Sequence, residues 1–223
     1  MRWTQAAEHR VVPLVAGRPF ADHQLRLLRS QGFRRVVMCV GHLGEQIAEF
    51  VGTGERYGLS VTYVFDGPVQ RGTAGAIRAA LPHLEGTFAV EYGDTYLRAP
   101  VKEIAAHFMA SGKRGLMTVY RNDNALEPSN VVLEDGAIVL YDKRRRDPRM
   151  RHIDFGLSFF RDDAFHLVPE NSSYDLADLF VHLVERGELA TFEVPDRFYE
   201  IGTPQALADT DRLLSLELSP HGP

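Results

Sequence analysis

The chain has 223 residues, a formal net charge of -5, 44% hydrophobic residues and 25% charged residues. That composition is ordinary for a globular protein, and the length suits one α/β domain over residues 1–223. The acidic balance gives no basic surface of the kind that holds nucleic acid or an anionic membrane, yet it allows a phosphorylated ligand held by local groups. The single cysteine, Cys39, cannot make an internal disulfide, and within the apolar run Val36–Val40 it is expected as a buried small hydrophobe. Met1–Arg10 has no apolar leader and no stretch reaches the ~20 apolar residues of a membrane span, so a cytoplasmic location is expected.

Strands and helices alternate along the chain. Gln24–Ser30 is predicted as a helix ended by Gly32, and Arg35–Val40 as a short strand buried on both faces. A helix over 44–52 and a β-branched strand over Leu59–Phe65 follow. Ala74–Leu81 is predicted as a helix stopped by Pro82, Phe88–Glu91 as a buried strand, and Val101–Ser111 as a helix. Strands are expected at Gly115–Tyr120, Asn130–Leu133 and Ala137–Tyr141, the last two joined through Asp135-Gly136, a hairpin signal. His152–Phe160 is a further strand, and Leu176–Arg186 a helix ended by Gly187. Thr191–Val194 and Phe198–Ile201 close the strands, and Pro204–Leu216 is the last helix, with 215–223 expected to fray. The repeated strand–loop–helix order implies a mostly parallel sheet that binds ligands beyond the carboxyl ends of its strands.

Four stretches carry candidate chemistry. In Tyr92-Gly93-Asp94-Thr95 a carboxylate stands at a strand end behind a glycine that admits close approach; Asp94 suits either Mg²⁺ or a turn cap. Gly72-Thr73-Ala74 opens a helix whose free N–H groups suit an anion or a ring edge; the alternative is Thr73 capping that helix. Glu200 stands at a strand end before Gly202-Thr203-Pro204, as either a ligand or a solvated charge. Lys143-Arg144-Arg145-Arg146 is either a solvated loop or a phosphate contact. His107, His152, His166 and His182 form no Ser/His/Asp arrangement and read as structural or exposed.

Taken in order, these stretches resemble the sugar-1-phosphate nucleotidyltransferases, and among them the mannose- and heptose-1-phosphate guanylyltransferase-like proteins. Gly72–Ile77 resembles the family's base-contacting loop, Gly93-Asp94 its metal-binding Gly-Asp, and Asn130–Gly136 its Gly-Val-Val to Asp-Gly hairpin. Asp142-Lys143 resembles its acid–lysine pair, Asp154-Phe155-Gly156 its Asn-x-Gly, and Tyr199–Pro204 its Asp-Ile-Gly-Thr-Pro. The resemblance covers residues 12–214. It implies a Rossmann-like, GT-A-like fold with a mixed, mostly parallel sheet flanked by helices. It also implies transfer of a nucleoside monophosphate from an NTP to a sugar 1-phosphate with release of pyrophosphate. Asp94 and Glu200 would hold Mg²⁺ and, with Lys143, serve catalysis; Gly72, Thr73, Ala74 and Gly93 would meet the nucleotide. Asn130, Asp142, Asp154 and Gly156 would line the sugar side.

Three departures stand out. Glu200 replaces an aspartate, and Asn130 replaces a glycine. At the start, nothing in Met1–Arg10 matches the family's Gly-rich phosphate loop, and Arg10 with Pro13 stands where a Pro-Lys is usual. The first strand is therefore expected to be missing, or replaced by Val11–Val15 or by a partner, and a homodimer would cover the exposed edge. The alternative function is an impaired or inactive homologue that binds a nucleotide, sugar phosphate or nucleotide sugar, or a truncated form of an active enzyme.

Overall fold

The computed structural model describes residues 13–67, 70–170 and 172–218. In chain order the elements are β1 Leu14–Val15, β2 Arg18–Pro19, α1 Phe20–Ser30, β3 Arg35–Val40, α2 Gly44–Val51, β4 Ser60–Phe65 and α3 Gly72–Ala80. There follow β5 Thr87–Glu91, β6 Thr95–Tyr96, α4 Val101–Ser111, β7 Gly115–Arg121, β8 Val131–Glu134 and β9 Ala137–Tyr141. The chain closes with β10 His152–Arg161, α5 Leu176–Glu185, β11 Leu189–Val194, β12 Tyr199–Glu200 and α6 Pro204–Leu218. These elements group into two compact units.

The first unit runs through Tyr63 and adds Gly93–Arg98 and the stretch from Phe198. β1 and β2 form a two-residue hairpin whose turn places Ala16 at φ 47 and Gly17 at φ 74. The α1 residues Ala21 and Leu25 pack with Val51, Tyr57 and Leu59, and Val36 and Met38 of β3 and Val61 of β4 lie against them. β3 pairs with β4. A second apolar cluster joins Val15, Phe20, Tyr96, Ile201 and Leu214, which fixes β6 and α6 around the hairpin.

The second unit comprises Val64–Tyr92 and Ala99–Arg197. Its sheet has the order β11-β7-β10-β8-β9, with β5 also paired to β10. β11 runs parallel to β7, and β10 runs antiparallel to β5, β7 and β8. Between its Asp154 and Ser158 partners on β7, β10 bulges, with Gly156 at φ 96. The core beneath the sheet is aromatic: Phe160 lies 5.2 Å from Phe165 and 5.5 Å from Phe180, centroid to centroid. Leu179 and Leu183 of α5 are fully buried beside them, so the apolar stripe of that helix faces the sheet.

The mixed sheet flanked by helices agrees with the expectation, and the Asp135-Gly136 turn has φ 48 and φ 77, as a two-residue hairpin requires. Two readings are corrected. Cys39 is exposed rather than buried, and β3 is not covered on both faces. Alternation explains it: Val36 and Met38 turn towards the apolar cluster and Cys39 points the other way. Of the expected replacement strand over 11–15, Leu14 and Val15 form the hairpin strand β1, while residues 1–12, Arg10 included, lie outside the described residues. Of the tail expected to fray, 215–218 continue α6, and 219–223 lie outside the described residues.

Candidate functional site

Two short strands bring Asp94 and Glu200 together. β6 pairs antiparallel with β12, placing Thr95 opposite Glu200. Ile201 donates its N–H to the Asp94 carbonyl at 3.0 Å, so the two acids occupy neighbouring positions on paired chain. Asp94 is buried, at 8% exposure, and Glu200 is half-buried. The Gly202 N–H donates to the Glu200 carboxylate at 2.8 Å, and the Thr210 hydroxyl of α6 donates to the Glu200 carbonyl at 2.7 Å. Thr203 accepts from Ala206 N–H at 3.1 Å and caps α6. At Gly93, a Cβ would meet nothing within 4 Å. Among the described residues no group of three or more His, Cys, Asp or Glu side chains could hold a metal. A pair of carboxylates fits Mg²⁺, which usually takes one or two and fills its shell with water and phosphate oxygens.

The loop before α3 is built differently. Gly72 has φ +69, and a Cβ there would lie 2.6 Å from the Tyr174 carbonyl oxygen. Ala74 and Gly75 both donate N–H bonds to that oxygen, at 3.0 and 3.2 Å, and Tyr174 donates to the Arg71 carbonyl at 2.8 Å. The Thr73 hydroxyl accepts the Leu176 N–H at 2.7 Å and reaches Asp175 Oδ1 at 3.4 Å. Asp175 in turn accepts from Ala177 and caps α5. Thr73 thus serves the start of α5 and does not cap its own helix, which corrects that alternative.

The residues expected on the sugar side converge in the second unit. Asp154 is buried, and its Oδ1 accepts the Gly156 N–H at 3.0 Å. Its Oδ2 accepts the Tyr141 hydroxyl at 3.3 Å and lies 3.7 Å from the Lys143 ammonium. Asn130, also buried, accepts the Asp154 main-chain N–H through Oδ1 at 3.0 Å, so the residue that replaces a glycine holds the backbone that carries this carboxylate. Burial, and then the neighbouring Asp154 charge, push the Tyr141 phenol well above its usual range. Asp142 is apart from this network: its Oδ1 accepts the Arg144 and Arg145 N–H groups at 2.7 and 2.9 Å. Those bonds hold its carboxyl below the ordinary value.

The arginine run is an exposed loop. Arg144 meets Asp178 at 3.3 Å, and Arg146 donates to the Pro128 and Ser129 carbonyls at 3.3 and 3.2 Å. Two tyrosines to which the sequence assigned no role belong to the network, Tyr141 and Tyr92, the second with its ring 5.2 Å from the Lys143 ammonium. The signal for Tyr92 was strand alternation, which puts it on the same face as Phe88 and Val90. Glu91, on the opposite parity of β5, has one buried carboxylate oxygen without a hydrogen-bond partner among the described residues, and burial pushes its carboxyl up to about 8.

The sequence family described as the MobA-like NTP transferase domain matches residues 7–162. A UTP–glucose-1-phosphate uridylyltransferase of Synechocystis sp. is 25% identical over 194 residues, covering 79% of this chain and 50% of that protein. A mannose-1-phosphate guanyltransferase of Saccharomyces cerevisiae is 25% identical over 202 residues, covering 86% of this chain and 56% of that protein. The chain therefore spans about half the length of the curated relatives it matches. The crystal structure of HddC from Yersinia pseudotuberculosis complexed with GMP-PN superposes with a TM-score of 0.77 at 17% identity, covering 96% of this chain and 93% of that one, a likeness of fold. With the family match spanning more than half of its length, the chain belongs to the MobA-like NTP transferase domain family.

Proposed function

We propose that this protein transfers a nucleoside monophosphate from an NTP to a sugar 1-phosphate, with release of pyrophosphate. The observation that carries the reading is the pairing of β6 with β12, which brings the main chain at Asp94 next to that at Glu200 and Ile201. The relatives named for uridylyl transfer to glucose 1-phosphate and guanylyl transfer to mannose 1-phosphate support the same reaction class.

In this reading Asp94 and Glu200 hold Mg²⁺, with the Gly202 N–H fixing the Glu200 carboxylate. The ion, when bound, neutralises phosphate charge and polarises the phosphoryl oxygens. Lys143 neutralises the acceptor's phosphate. Asp154, oriented by Asn130 and Gly156, accepts hydrogen bonds from acceptor hydroxyls. Gly93, with open space around it, lets the nucleotide approach the main chain. A phosphate oxygen of the acceptor bonds to the α-phosphorus, the bond to the bridging oxygen breaks, and pyrophosphate leaves with that electron pair. No covalent enzyme intermediate is needed, so positioning and charge neutralisation supply the catalysis.

The test is pyrophosphate release by the purified chain with Mg²⁺, a panel of NTPs and a panel of hexose and heptose 1-phosphates. Release that needs both substrates and Mg²⁺ is expected. A folded chain that releases none with any pair overturns the reading.

A further inference from the structure

We propose that Tyr92 is a positioning residue for Lys143: its ring face and the Asp154 carboxylate together hold the ammonium ready for an anionic oxygen of the acceptor. The second half of that statement rests on the reading above; the first half stands on geometry alone. Lys143 Nζ lies 5.2 Å from the Tyr92 ring centroid and 3.7 Å from Asp154 Oδ2. Both neighbours are themselves fixed. Tyr92 packs against the aromatic core of the second unit, and Asp154 is held by Tyr141, Gly156 and Asn130. The lysine side chain nevertheless keeps 41% exposure, so it is open to solvent and to an anion that arrives from it.

The two supports do different work. Asp154 attracts the ammonium strongly but also competes with an incoming phosphate for its charge. A ring face attracts through its quadrupole and carries no net charge. Tyr92 therefore narrows the wandering of a long, flexible side chain without cancelling the charge that the acceptor must find. A hydroxyl is not required for this, only the ring.

The experiment compares Tyr92→Leu and Tyr92→Phe with the parent chain. In Tyr92→Leu, KM for the sugar 1-phosphate is expected to rise about three- to tenfold, in the range a cation–π contact supplies. KM for the NTP should stay within about twofold, and Tyr92→Phe should restore the acceptor KM. In a Lys143→Met background, Tyr92→Leu should add less than about twofold, because the two residues act through one contact. Independently of activity, the Lys143 ε-methylene resonance, assigned by its loss in Lys143→Met, should carry an upfield ring-current shift. That shift should persist in Tyr92→Phe and vanish in Tyr92→Leu.

An unchanged acceptor KM in Tyr92→Leu, an equal rise in both KM values, or a full effect in the Lys143→Met background overturns the inference. If no substrate pair gives pyrophosphate, the proposed function falls, and the resonance alone decides the positioning role: a Lys143 shift that Tyr92→Leu leaves in place overturns it.

Discussion

Two glycine-bearing stretches, Gly72-Thr73-Ala74 and Gly93-Asp94, look alike as sequence and differ as structure. A Cβ on Gly72 would strike the Tyr174 main chain at 2.6 Å, in a backbone conformation that L side chains rarely adopt. A Cβ on Gly93 would meet nothing within 4 Å. The first glycine is demanded by the fold of its own unit, where the loop before α5 presses on the start of α3. Among the described residues nothing crowds the second, so the space beside it is open. A glycine beside a helix start is thus weak evidence of a phosphate or base site until it is known what occupies the space.

That contrast can be broken from either side. The largest effect is expected at the carboxylate behind Gly93: Asp94→Asn should lower the rate of pyrophosphate release by about 10²–10³-fold, on the scale of removing one preorganised electrostatic group. Differential scanning should show its Tm near that of the parent, and activity retained at the parent level would remove Asp94 from the reaction. Next comes Gly72→Ala, where steric conflict and strained φ should cost about 1–3 kcal/mol. At this chain length that lowers Tm by roughly 2–12 °C. A Tm equal to the parent's would mean that the Tyr174 loop yields freely. Gly93→Ala is the mirror experiment: Tm should stay within about 1 °C, since no steric mechanism acts, while KM for the NTP rises several-fold. An unaltered KM would show that no ligand needs that space.

The last effect is read against pH and concerns Glu91, one position before Tyr92. Burial raises its pKa from the ordinary 4.5 to about 8, so the native state holds this carboxyl neutral over a range where the unfolded chain has it ionised. The sign follows from linkage: stability associated with Glu91 is complete below pH 4.5 and is lost as pH climbs through about 8. Glu91→Gln should therefore decline less steeply in Tm than the parent between these pH values. Parallel curves for the two chains would place Glu91 in water.

Most of the secondary structure was legible because the relevant signals are local. The helix at Val101–Ser111 begins after Pro100 and ends at Gly112, and the β8–β9 turn is announced by Asp135-Gly136. The family was legible because its motifs fall in a fixed order, even though each one alone is loose. Cys39 was misread because an apolar run does not say which of its faces is covered. The capping alternative for Thr73 failed because its hydrogen-bond partner, Leu176, is 103 residues away and no local pattern points to it. The role of Asn130 was hidden for the same reason: the residue that stands in place of a glycine holds the main chain of Asp154, 24 residues on. Asp142 and Lys143 are adjacent in sequence, yet one binds its own loop and the other joins the Asp154 network.

The bulge in β10 has a consequence for how this strand can change. Asp154 stands opposite Val119 and Ser158 opposite Met117, so three residues of β10 span what one residue of β7 spans. The surplus is two residues, an even number, and the alternation of faces resumes unbroken on the far side. Losing both surplus residues would shorten the strand and leave Phe159 and Phe160 on their own faces. Losing one would leave the single extra residue of an ordinary bulge, with Phe160 still opposite Gly115 and inside the aromatic core. The bulge can thus absorb a change of length, whereas a single deletion beyond Ser158 slips the register against β7 and turns the side chains that follow onto the other face.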